Sequence, residues 1–170
     1  KQTEKARRAG EALMRILPLF FVAILASSRA LAGVAIQHWT APTGAKVYFV
    51  ETRVVPILDV QIDFAAGGVN VPPAKAGLAG LTRGLLDTGT ADMDEEAISA
   101  RLVDVGARLG GGVDSDRASV SLRTLSSPTE RNAALDLMRA VLSSPTFPVQ
   151  ALEREKSRSI ASIREAETRP

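Results

Sequence analysis

Gly77-Leu78-Ala79-Gly80-Leu81-Thr82-Arg83-Gly84-Leu85-Leu86-Asp87-Thr88-Gly89-Thr90 is the stretch on which the reading of this chain turns. Leu78, Leu81 and Leu85 recur at i, i+3 and i+7, which marks one face of a helix within Lys75 to Asp87. Gly80 and Gly84 sit inside that pattern, where each glycine costs roughly 0.8–1 kcal/mol against alanine. Two such residues call for a reason. Close packing is one: Gly77, Gly80 and Gly84 would form a groove for another element. Arg83 and Asp87, four apart, are placed to pair on the helix surface for only a few tenths of a kcal/mol.

Working outward, Leu58, Val60, Ile62 and Phe64 alternate with Asp59, Gln61 and Asp63 inside Val54 to Ala65, a half-buried strand with one wet face. Gly67-Gly68 ends it and Val71-Pro72-Pro73 is a loop. Further upstream, Val34 to Trp39 and Lys46 to Val50 flank Pro42-Thr43-Gly44 and read as strand, turn, strand. Downstream, Asp94-Glu95-Glu96 puts acid in the first turn of a helix, where the macrodipole favours it. Ile98, Leu102 and Val105 form that helix's apolar face. Ala107 to Val113 contains Gly110-Gly111-Gly112, and Ala118 to Leu125 alternates strictly as a strand. Ser127-Pro128-Thr129-Glu130 has the form of a capping box with proline at the first helical position. Its helix carries Ala134, Leu135, Met138, Val141 and Leu142, and Ser144-Pro145 stops it. A charged helix runs from about Pro148 to the end. The order β-β-β-α-α-β-β-α-α gives an α+β fold, an antiparallel sheet covered by helices.

Composition narrows the chemistry. The 170 residues are 45% apolar and 24% charged, which is ordinary globular composition. Cysteine is absent, so there is no disulfide, thiolate ligand or cysteine nucleophile. His38 is the only histidine, so no site with two imidazoles can come from this chain; on the first strand it reads as a surface residue. Residues 1–32 hold six Lys/Arg and two Glu, whereas residues 33–170 hold 15 Lys/Arg and 17 Asp/Glu. The basic balance therefore belongs to the leader. The remainder has no basic footprint and, with one Trp and one Tyr, few stacking platforms for nucleic acid.

Residues 1–32 have the three parts of a secretory signal. Lys1 to Arg15 is basic, Ile16 to Ala26 is an apolar run of 11, and Ala30-Leu31-Ala32 offers small residues to a signal peptidase. Cleavage is expected after Ala32, leaving 33–170 as the mature part, periplasmic or secreted and free of the membrane. The run is shorter than the ~20 residues a spanning helix needs; an uncleaved anchor or a buried helix is the alternative. The chain opens on Lys and closes on Pro170 within a helical pattern, and so reads as an excerpt of a longer protein.

Asp87-Thr88-Gly89, preceded by Leu85-Leu86, is also the triplet of aspartic peptidases, in which two carboxylates share a proton and activate water. There, however, the triplet follows a strand. Here it ends a helical pattern, a helix with an acidic start follows, and a second copy of the triplet is missing.

The stretch with its surroundings resembles the inverted zinc metallopeptidases, the family of pitrilysin, insulin-degrading enzyme and mitochondrial processing peptidase. Their motif helix reads about G-[LI]-A-H-x-x-E-H-x-x-x-x-G-[TS]. Gly77, Leu78, Ala79, Gly89 and Thr90 match that frame at its spacing. Ala66-Gly67 before it, Gly106-Ala107 and the strand Ala118–Leu125 after it, and Ser143-Ser144-Pro145-Thr146-Phe147 ahead of the charged helix match in order. The resemblance runs from about Val34 to Pro170 and makes 33–170 the N-terminal peptidase-family domain, truncated at its C-terminal end.

In that family the two histidines hold zinc and the glutamate takes a proton from the metal-bound water. Those positions are Gly80, Gly84 and Arg83 here. Glycine offers no ligand atom, and arginine, with a pKa above ~12, cannot serve as a base. The third ligand is a glutamate on a later helix. The alignment puts Ser162 there, with Glu155 matching a family acidic position and Glu165 nearby. The resemblance therefore implies a chain without metal ligands, paired with a homologous subunit that carries the zinc. It further implies that peptide adds as a strand along Leu109, Gly110, Gly111, Gly112 and Val113; a bulge or turn is the other reading of those glycines. A stand-alone peptide-binding or assembly scaffold is the alternative function.

Overall fold

A computed structural model describes residues 34–168, so the signal-like segment lies outside the described residues. The described residues divide into two compact units, 34–53 and 54–168. In the first, β1 (Ile36–Thr40) and β2 (Lys46–Val50) form an antiparallel hairpin. Gly44 takes φ +86 in its turn, a conformation that only glycine adopts cheaply. His38 pairs with Tyr48 across the ladder and their rings stack, centroids 6.3 Å apart.

The second unit is built on three antiparallel strands in the order β3–β5–β4, with β3 at Ile57–Phe64, β4 at Arg108–Val113 and β5 at Ala118–Leu125. Alternation in the sequence becomes two unlike faces. Val60, Ile62, Leu109, Val120 and Leu122 point into the core, while Asp59, Gln61, Arg123 and Arg108 lie on the wet face. Arg123 grips Asp59, its register partner, through two bonds of 2.6 and 2.9 Å. That hydrogen bond holds the Asp59 carboxyl below the ordinary aspartate value.

Among the described residues four helices accompany the sheet: α1 (Leu78–Leu85), α2 (Glu95–Asp104), α3 (Pro128–Ser143) and α4 (Val149–Glu167). Val105, Val120, Leu122, Ala134 and Met138 form one buried cluster; Ile98, Leu137 and Val141 form a second, and Leu86 and Leu109 touch both. No described helix is long and apolar enough to cross a membrane. The α+β order matches the sequence reading in every element.

Two local expectations need correction. The helix expected from Lys75 starts at Leu78, because Pro73–Lys75 is a separate 3-10 turn and Gly77, at φ +89, redirects the chain. Nor does the capping box close at Ser127. Its hydroxyl donates to the Glu130 carboxylate, and the side chain caps no backbone N–H. Asp94, by contrast, is a true cap: Oδ1 accepts from the Ala97 N–H at 2.8 Å.

Candidate functional site

The motif helix α1 packs against α4, β4 and β5. Its frame residues hold this arrangement together. Thr88, buried, donates through Oγ1 to the Leu85 carbonyl at 2.8 Å and closes the end of the helix. The Gly89 carbonyl accepts from the Thr146 N–H at 3.1 Å, and Ala91 N–H donates to the Ser144 carbonyl at 3.1 Å. A Cβ at position 89 would stand 2.6 Å from Thr146 Oγ1 and 3.1 Å from Pro148 Cγ. The Gly-Thr after the helix and the Ser-Pro-Thr before α4, 55 residues apart, therefore clasp one another. The Asp-Thr-Gly triplet is a helix end engaged in this clasp.

Arg83 does not lie on the surface as its spacing with Asp87 suggested. Its side chain is only 11% exposed, and Nη1 stands 3.9 Å from Asp87 Oδ1. Nε donates to the Ser119 carbonyl in β5 at 3.1 Å. To get there the guanidinium crosses β4 at Gly111, where a Cβ would meet Nε at 2.8 Å and overlap the Ser119 carbonyl oxygen. Gly111 takes φ +135, open to glycine alone. Beside it the Gly112 N–H donates to Ser119 Oγ at 3.1 Å. The ladder register nonetheless runs one to one from Arg108↔Arg123 to Val113↔Ala118, so the glycines form no bulge. They lie on an edge strand, with β5 as β4's one neighbour among the described residues.

The glycine groove is only partly present. Nothing stands within 4 Å of a Cβ built at Gly77 or Gly80, so neither accommodates another element. A Cβ at Gly84 would meet Glu155 of α4 at 3.7 Å. Glu155 is thus the carboxylate brought to the motif helix, while Ser162 lies exposed about two turns further along α4. The α4 charges form specific pairs. Arg158 Nη1 donates to Glu155 Oε2 at 2.8 Å, and Arg154 Nη2 reaches both Glu95 oxygens at 2.8 and 2.7 Å. These pairs, with Gly84, Asp87 and Thr88, line a cavity of about 250 Å³. Sequence reading missed the Arg154–Glu95 pair because its partners lie 59 residues apart.

The residues present do not fit zinc. A protein zinc site takes three or four N, S or O ligands. Gly80 and Gly84 have none, Arg83 brings a permanent cation to the centre, and the carboxylate at hand, Glu155, is bound to Arg158. Among the described residues no group of three His, Cys, Asp or Glu could hold a metal ion.

On the far side of α1 an apolar cavity of about 420 Å³ lies between the helix, the end of β3 and β5; Phe64, Leu78, Thr82, Arg83 and Val120 are in its wall. Gly67 closes the strand end against the β4–β5 turn. Its Cβ would overlap backbone atoms of residues 115–117, and Gly68 N–H donates to the Asp114 carbonyl at 2.9 Å. In that turn the N–H groups of Arg117 and Asp116 donate to Asp114 and hold its carboxyl below the ordinary value.

No family model matches the chain, and no curated protein does. Solved structures do. A peptidase M16 inactive domain from Pseudomonas fluorescens is 38% identical, with a TM-score of 0.77 over 81% of this chain and 33% of that one. A protease from Helicobacter pylori is 16% identical, with a TM-score of 0.66 over 80% of this chain and 32% of that one, and shares the fold. The chain thus spans about a third of the length of each. Taken with the frame residues and their clasp, the likeness at 38% identity places the chain in the inverted zinc metallopeptidases, the peptidase M16 family.

Proposed function

We propose that this chain is a non-catalytic member of the family, exported from the cytoplasm, which handles peptide beside a homologous subunit that carries the zinc. The observation that carries the first part is Arg83. A guanidinium stands where a proton-accepting carboxylate is needed, and it is committed to the sheet backbone at 3.1 Å. A relative of similar fold is itself described as an inactive domain. Pairing would supply the missing chemistry: zinc and base in the partner, enclosure and peptide contact here. The edge strand β4 offers the second contribution, since main-chain donors and acceptors bind an extended peptide whatever its side chains.

The test is isolation of the native assembly. The expected result is a stable complex with a chain bearing H-x-x-E-H, in which peptide hydrolysis needs both subunits. Recovery of this protein alone, binding peptide without any such subunit, favours the scaffold reading, which the open β4 edge also suits. The leader makes a further statement: the exported protein should begin at Gly33 on N-terminal sequencing, and an intact Lys1 on exported material would contradict it.

A further inference from the structure

The free edge of β4 has a polarity that names its ligand. The Asp114 N–H donates to the Arg117 carbonyl at 2.9 Å, and the antiparallel register fixes Asp114 opposite Arg117. Hydrogen-bonded and non-hydrogen-bonded pairs alternate in such a ladder. Arg108, Gly110 and Gly112 therefore turn their main-chain groups toward β5, while Leu109, Gly111 and Val113 turn theirs to the open edge. A strand added there bonds to the odd-numbered residues. Its side chains opposite Arg108, Gly110 and Gly112 fall on the wet face in non-hydrogen-bonded pairs, where side chains sit closest.

Arg108 is exposed and has no hydrogen-bond or ion-pair partner among the described residues. Its register partner is Arg123, whose charge Asp59 already takes on the next strand. The row Asp59–Arg123–Arg108 thus ends at the edge with one uncompensated cation. Next to it Gly110 and Gly112 present no side chain, and the wet face there is hollowed into a cavity of about 440 Å³ whose wall includes Asp59, Gln61, Arg108, Gly110 and Arg123. An added strand meets a positive charge at one position, this cavity beside Ser121 at Gly110, and open space at Gly112.

We propose that β4 takes an extended peptide, antiparallel, with an acidic residue opposite Arg108 and bulky residues opposite Gly110 and Gly112. Antiparallel pairing continues the order of the sheet and is the more stable per residue. Written from its N-terminus the preferred peptide is bulky-x-bulky-x-acid. This rests on the reading of β4 as a peptide-binding edge and adds its selectivity.

Four probes test it on the full-length protein: acetyl-Ser-Phe-Thr-Phe-Thr-Glu-Ser-amide, the same peptide with Lys for Glu, the reversed order Ser-Glu-Thr-Phe-Thr-Phe-Ser, and an all-Ser peptide of equal length. Binding is read by calorimetry at low salt. The Glu peptide should bind about tenfold more tightly than the Lys peptide, as an opposed attraction becomes a repulsion. It should also bind more tightly than its reversal. In Arg108→Glu, an exposed and unpaired position whose fold is checked by circular dichroism, the preference should invert toward the Lys peptide. Equal affinity for the Glu and Lys peptides, or no inversion in the variant, overturns the selectivity while leaving the edge itself intact. Binding of none of the four overturns both.

Discussion

Gly111 combines a positive φ with a Cβ position that overlaps the Ser119 carbonyl, so Gly111→Ala should be strongly destabilising, by about 2 kcal/mol or more. Gly112→Ala is the matched control: its Cβ meets nothing within 4 Å, and its effect should stay within about 0.5 kcal/mol. Urea unfolding of the two variants reads the difference, and equal midpoints would refute the close passage of Arg83 across β4. Arg83 itself supplies a second comparison. Arg83→Glu sets carboxylate oxygens against the Ser119 carbonyl in a site 11% exposed, at a cost of about 2–3 kcal/mol, whereas Arg83→Met keeps the packing and leaves only the carbonyl unmatched, about 1–2 kcal/mol. A Glu variant as stable as wild type would mean that the arginine is incidental. The resemblance sets Arg83 against the family's glutamate, and the sequence gives its charge. It could not show where the guanidinium went, because i,i+4 spacing predicts a surface pair with Asp87 and knows nothing of a strand 36 residues away.

Among the elements, the β4–β5 hairpin depends on Asp114. Its lowered carboxyl pKa means that the charged form is favoured in the folded state, so the contribution is present above the unfolded value of about 3.9 and is lost as pH falls through the lower folded value. Wild type should therefore exceed Asp114→Asn in thermal stability at pH 7, with the gap closing below about pH 4. A gap that is constant down to pH 2.5 would contradict the turn's charge dependence. The strands and helices themselves were legible, since alternation in Ile57–Phe64 and Ala118–Leu125 and helical spacing in Pro128–Ser143 survive into the fold. Boundaries and caps were less so. Ser127-Pro128-Thr129-Glu130 fits a capping box by spacing, yet the Ser127 hydroxyl is turned to donate to the Glu130 carboxylate instead of accepting from a backbone N–H, and that choice depends on rotamers that spacing does not encode.

For the whole molecule, the frame residues that carry the resemblance do mechanical work: Gly89-Thr90 and Pro145-Thr146 bond to each other. The centre was readable only as a loss. The approach of Glu155 to Gly84 and the Arg154–Glu95 pair arise from long-range packing of α1, α2 and α4, which no local pattern announces. Because three donors and a base are missing together, Gly80→His, Arg83→Glu and Gly84→His in one chain should still yield no peptidase activity while Ser162 supplies no carboxylate; turnover by that triple variant would show that the third ligand lies elsewhere. The central claim is that α1 cannot grip a metal ion. Elemental analysis of the tag-free protein, equilibrated with zinc and then freed of loosely bound metal, tests it most directly. Far less than one zinc per polypeptide is expected; one tightly retained zinc ion per chain would mean that α1 does bind metal.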